Sequence, residues 1–158
     1  MMQPNLTRML EIIDTVFQTN SDPNQLNIDE TIIEGLKSIH PSTVTELANE
    51  DGPYMWMIVI PSTQKDMQEF LEKKIHETEL YERASGAESY DALYLCSAIT
   101  LPEFRNQGLS KQTILDAIRS IMNDYPIKSL FVWNFSKEGD HLSSAIAEEL
   151  NLPLFHRQ

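Results

Sequence analysis

Apolar positions in this chain switch between helical and strand spacing, and the switches mark its elements. Leu6, Met9, Leu10, Ile13 and Phe17 recur at helical intervals and predict an amphipathic helix over 6–19. A polar stretch follows at 19–24. Ile32, Ile33, Leu36 and Ile39 then predict a second helix over 29–39. His40-Pro41 ends it, because the residue before proline is driven out of the α region. Residues 43–49 alternate loosely, and 54–60 is a dense strand-like run, Tyr-Met-Trp-Met-Ile-Val-Ile. The Asp51-Gly52 pair between them signals a hairpin, so an antiparallel pair is expected. Pro61-Ser62-Thr63 reads as a strand end and a helix cap. Met67, Phe70, Leu71, Ile75 and Leu80 predict one helix over 62–80, with Glu69, Glu72, Lys73, Lys74, Glu77 and Glu79 on a solvated outer face.

The second half has the clearer pattern. A loop at 85–89 leads into Ala92 to Thr100, an apolar run with Tyr94, Ile99 and Thr100 as β-formers, stopped by Pro102. That is a buried strand. From Leu109 the period becomes helical, with Ile114, Ala117, Ile118, Ile121 and Met122 on one face, until Tyr125-Pro126. Residues 128–135 hold a second buried strand around Leu130-Phe131-Val132-Trp133. After a loop at 134–141, Asp140 is expected to cap a last helix with Leu142, Ile146 and Leu150 inward. Asn151-Leu152-Pro153 stops it, and Leu154-Phe155 is a short last strand. Strand, helix and strand in this order imply a right-handed crossover and a parallel pair. The fold class is therefore α/β (α+β): a mixed central sheet flanked by helices. The chain reads as a single domain, 1–158, with a helical part over 1–42 and the sheet over 43–158.

The join between the central strand and its helix carries the chemistry. It reads Arg105-Asn106-Gln107-Gly108-Leu109-Ser110-Lys111. The first turn of a helix presents unpaired N–H groups and the positive end of the dipole. A glycine there lets a ligand approach the backbone, and Arg105, Ser110 and Lys111 add charge and a hydroxyl. The guest suited to such a turn is a phosphate or pyrophosphate. Neither the Gly-x-x-x-x-Gly-Lys-Ser/Thr pattern nor Gly-x-Gly-x-x-Gly is present. The bland alternative is an ordinary turn in which Gly108 only makes the bend and Arg105 is solvated.

Composition narrows the partners. A net charge of −12 argues against nucleic acid, since phosphate repulsion would dominate, and is compatible with a cationic amine as well as with plain solubility. The single cysteine, Cys96, allows no disulfide within the chain and sits in the apolar strand, where a structural thiol is the ordinary reading. No run approaches the length of a membrane span, and the first residues show no secretory pattern, so a cytoplasmic protein that binds no membrane is expected. No His/Cys/Asp/Glu cluster has metal-ligand spacing, so no metal is expected.

The spacing Arg105-x-x-Gly108-x-Ser110, after a strand ending Ile99-Thr100-Leu101-Pro102, resembles the pyrophosphate loop of the GNAT superfamily of acyl-CoA-dependent N-acetyltransferases. Ser110 stands where glycine or alanine is usual there. The likeness is best from Ala92 to Phe155, and the helical segment before the central strand is an addition to the family's plan. The resemblance implies a GNAT-like sheet with a β-α-β cofactor core. It implies acetyl-CoA as cosubstrate and an amine as acceptor, with direct transfer between them. Main-chain groups of Ile99 and Leu101 would pair with the pantetheine arm. The segment Arg105, Asn106, Gln107, Gly108, Leu109, Ser110 and Lys111 would hold the pyrophosphate, with Asn134 and Ser144 as further cofactor contacts. For the proton acceptor, Asp91, Glu46 and His141 are the candidates. The tyrosine that many relatives carry on the last helix as an acid is replaced here by Ala147. That absence leaves a second reading open, a weakly active or inactive CoA-binding or protein-interaction module. A homodimer is in keeping with the family.

Overall fold

The structure, a computed structural model, describes residues 4–17, 30–105, 108–133 and 137–158. Helices α1 (Pro4–Phe17) and α2 (Glu30–Ile39) come first. Strands β1 (Val44–Asn49) and β2 (Gly52–Ser62) form the hairpin foreseen from Asp51-Gly52, with Glu46 opposite Trp56 and Asn49 opposite Gly52. Strand β3 (Ala92–Thr100) runs antiparallel to β2, while β4 (Ser129–Val132) and β5 (Leu154–His156) continue the sheet in parallel. The strand order is β1-β2-β3-β4-β5. Helix α5 (Leu109–Asp124) links β3 to β4, and α6 (Lys137–Leu150) links β4 to β5. The mixed α/β class and the β-α-β core read from the sequence are those observed.

Pro61 and Ser62 extend β2 instead of ending it. The last pairing of β1 is Val44 with Ile58, so Pro61 lies where β2 has a neighbour on one side only, and a strand tolerates proline there. The helix expected over 62–80 is two helices, α3 (Gln64–Leu71) and α4 (Glu77–Ser85). The break is a complete left-handed helix end. Lys73 has φ 65°, its N–H bonds Phe70 O at 3.1 Å, and Lys74 N–H bonds Glu69 O at 2.8 Å. α4 then restarts at His76, whose N–H donates to Glu79 Oε2 at 3.0 Å. The last helix begins at Lys137, so Asp140 lies within its first turns and does not cap it. Strand β4 is shorter than foreseen and releases Trp133.

Two right-handed crossovers in the same direction put α5 and α6 together on one face of the sheet. On the other face α3 lays Phe70 against Tyr94 at 5.0 Å and Phe131 at 5.8 Å between ring centroids. The core between these layers includes Leu36, Met55, Met57, Ile60, Leu80, Leu93, Ile118 and Phe131, all buried. A second apolar cluster, Met9 with Ile99 and Leu101, fixes α1 to the far end of β2 and β3, where Arg8 makes a two-pronged ion pair with Glu103, 2.6 Å on each prong.

Candidate functional site

β3 and β4 pair over only part of β3. The ladder runs from Ala92↔Ser129 to Leu95↔Val132 and stops. β3 itself continues to Thr100, so from Cys96 onward its β4-side edge carries no strand among the described residues. The stop coincides with an irregularity on the other side. Ile58 faces Ser97 and Val59 faces Leu95, which leaves Cys96 as an extra, bulged residue. A bulge bends the strand and re-aims its groups where pairing ends.

The register also settles which main-chain groups face that open edge. Leu101 N–H donates to Tyr54 O at 2.9 Å. In an antiparallel ladder the pairs alternate between bonded and non-bonded, so Ile99 opposite Trp56 is turned toward β2 in the same way. The peptide groups of Ala98 and Thr100 therefore face the open edge. Ile99 and Leu101, expected to pair with an extended ligand, turn their main-chain groups toward β2. Sequence spacing marks the strand and leaves its main-chain parity open, because parity depends on the partner's register.

The turn opens α5 as anticipated. Gly108 sits at the N-cap with φ 74° and ψ −1°, in the left-handed region that favours glycine. A β-carbon added there would meet nothing within 4 Å among the described residues. The first turn carries no acidic residue and its N-cap glycine makes no side-chain cap, so its leading amides lack helical partners. Arg105 is exposed, with Nε donating to Thr100 O at 2.8 Å, which ties the turn back to the strand. Lys111 leans toward Glu149 of α6, 3.9 Å away. Leu109 and Ser110 lie in the first turn of α5. Asn106, Gln107 and Asn134 lie outside the described residues. Ser144 and His141 are exposed on α6, His141 in its second turn and not at its cap.

The two remaining carboxylate candidates are engaged elsewhere. Asp91 lies before the first residue of β3, at the opposite end from the open edge. Its Oδ1 accepts Gln64 N–H at 2.8 Å and its carbonyl accepts Lys128 N–H at 2.8 Å, so it joins the starts of α3, β3 and β4. Glu46, on edge strand β1, accepts the indole N–H of Trp56 at 2.6 Å.

A different acidic residue stands beside the open edge. Glu77, assigned to a solvated face by its charge, is 5% exposed. It is the one acidic side chain in the core among the described residues. Its Oε2 accepts the hydroxyl hydrogen of the fully buried Tyr94, and the thiol of Cys96 points at the same oxygen from 3.8 Å. Burial first, and the Glu77 charge second, push the Tyr94 hydroxyl well above its usual range, and the same causes raise the Cys96 thiol. Both groups thus stay protonated and donate. The guanidinium of Arg157 lies over Phe70 and Trp133, 4.4 and 4.5 Å from their ring centroids, donates to Ile75 O at 3.1 Å and meets His76 Nδ1 at 2.9 Å. It brings positive charge to the turn that starts α4. Sequence reasoning missed this group, although Glu77 falls seven residues after Phe70 and so in phase with the apolar stripe.

Among the described residues no helix is long and apolar enough to cross a membrane, and no group of His, Cys, Asp and Glu could hold a metal ion. No protein-family model matches the chain, and no curated protein matches it. Among solved structures it is similar to the loading GNATL domain of CurA from Lyngbya majuscula, at 17% identity and a TM-score of 0.45. That match covers 78% of this chain and 57% of the other.

Proposed function

We propose that the chain is an acyl-CoA-dependent N-acyltransferase of the GNAT type, moving an acetyl group from acetyl-CoA to an amine. One observation carries the reading: among the described residues the edge of β3 is left open beyond Leu95, and the helix that follows in the chain starts at a left-handed glycine without a side-chain cap. An extended amide-bearing arm can add to such an edge as a strand would, through the peptide groups of Ala98, next to Thr100, whose carbonyl accepts Arg105 Nε. The phosphates at the end of that arm then meet the amides and positive dipole of α5. The thioester comes to rest near the bulge at Cys96, where a re-aimed main-chain N–H suits a developing oxyanion.

Ala147 favours the second reading, a CoA-binding module of low activity. It is buried in α6, where a tyrosine acid would have to reach the thiolate. Product formation separates the two. The primary test is calorimetric titration with acetyl-CoA and with CoA, comparing the natural chain with Gly108→Glu. That variant puts a bulky anion at a left-handed position on the phosphate path. Saturable binding that the variant loses, by at least about 100-fold for a charge placed in a phosphate site, is the expected outcome. Equal affinity in both proteins would remove the turn from the site.

A further inference from the structure

The geometry points to Glu77 as the base that takes the proton of a cationic acceptor amine, with Tyr94 as the residue that positions it. This rests on the acyl-transfer reading above. It adds a class of acceptor, an amine that arrives as ammonium, and the side of the sheet on which it arrives, that of α3 and α4.

Three observations carry it. The first is cost. A carboxylate in the core is expensive, and a glutamine or leucine of similar volume would fill the space without the charge. Glu77 is nonetheless nine-tenths buried. The second is place. Its donors, Tyr94 and Cys96, are successive residues of the same stripe of β3, and Cys96 is the bulged residue at which β3 leaves β4. The carboxylate therefore stands one side chain away from where the open edge begins. The third is protonation. Tyr94 and Cys96 are both held in their proton-bearing forms by burial beside Glu77, so both act as donors to it and neither competes to accept a proton. Two donors on one oxygen fix the orientation of the carboxylate. The two carboxylate candidates are turned to different tasks, Glu46 to Trp56 and Asp91 to the start of α3, and His141 is exposed on α6.

The step balances as follows. R–NH3+ gives one proton to the Glu77 carboxylate. The freed lone pair forms the N–C bond at the thioester carbonyl, whose π electrons move to oxygen. As they return, the C–S bond breaks and CoA leaves as thiolate. The second proton on nitrogen passes to that sulfur, and Glu77 releases its proton to solvent. The products are the amide, CoA–SH and one proton.

The test uses the full chain, acetyl-CoA and two small acceptors, with thiol release as the readout. n-Butylamine is an ammonium at neutral pH and needs a base; hydroxylamine is neutral and needs none. Glu77→Gln is expected to lower kcat with n-butylamine by about 100-fold or more, the ordinary loss for a general base, while KM for acetyl-CoA and the rate with hydroxylamine hold. Tyr94→Phe, which keeps the ring and removes the donor, is expected to lower kcat less and to leave that KM in place. Glu77→Asp is expected to fall between natural and Gln rates. An unchanged rate of Glu77→Gln with n-butylamine overturns the inference. So does an equal loss with both acceptors, which would make Glu77 a structural group. A natural chain that binds acetyl-CoA but serves neither amine also overturns it, leaving the acyl-CoA site standing. Absence of acetyl-CoA binding in the natural chain overturns the transfer reading itself.

Discussion

Lys73 and Asn151 occupy the same conformation for the same reason, and only one of them is legible. Each is the left-handed residue that ends a helix, with φ 65° and 56°. At α6, Asn151 N–H bonds Glu148 O at 3.2 Å and Leu152 N–H bonds Ala147 O at 3.0 Å, the counterpart of the bonds that end α3. Asparagine with a proline two residues on, Asn151-Leu152-Pro153, spells a helix end, so the stop at Asn151 could be read. Lysine has no such preference, so the stop at Lys73 was hidden inside an apparently continuous stripe. Lys73→Gly should therefore raise stability by about 1 kcal/mol, because glycine adopts the left-handed region without the clash a β-carbon makes. Urea unfolding measures this, and a midpoint that falls or stays would mean the Lys73 side chain contributes more than its backbone costs.

At the scale of elements, the short helices of the inserted segment depend on their caps. Thr63 Oγ1 accepts Asp66 N–H at 3.1 Å at the start of α3, and Asp91 supports the next amide, Gln64 N–H. Thr63→Ala should cost about 1 kcal/mol, the usual value of such a cap, read as a shift in the unfolding midpoint with an unchanged denaturant slope. An α3 this short, eight residues, has little stability of its own and is held by Phe70 in the core. The break between α3 and α4 is what lets Glu77 restart a helix beside Tyr94. The bulge at Cys96 acts at the same scale, since one inserted residue both ends the β3–β4 ladder and turns a thiol toward Glu77.

At the scale of the molecule, α1 is fastened across the end of β2 and β3 by Met9 and by Arg8 on Glu103, residues far apart in sequence. Hydrogen bonding from Arg8 lowers the Glu103 carboxyl from 4.5 to about 2. A carboxyl whose folded value lies below its unfolded one stabilises above the unfolded value and loses that contribution as pH falls through the folded one. The natural chain should thus melt above Glu103→Gln at about pH 6, with the difference shrinking below about pH 4.5 and gone near pH 2. The pair is exposed, so the difference is small and falls with added salt. A difference independent of pH would mean that Glu103 acts through packing alone.

What the sequence determined by itself is the order and kind of the elements. Hydrophobic period is a local property, so the hairpin at Asp51-Gly52, the strand–turn–helix at Gly108 and the stop at Asn151 were visible in short windows. It also singled out the turn whose amides suit a phosphate. Tertiary structure alone decided the rest. Register between β2 and β3 chose Ala98 and Thr100 over Ile99 and Leu101 as the groups facing the open edge. The placement of α3 drew Asp91 into a cap, and the restart of α4 carried Glu77 from an assumed surface into the core. Each of these depends on how segments distant in the chain meet. A side chain's charge says what its burial costs, and only the packing around it says whether that cost is met.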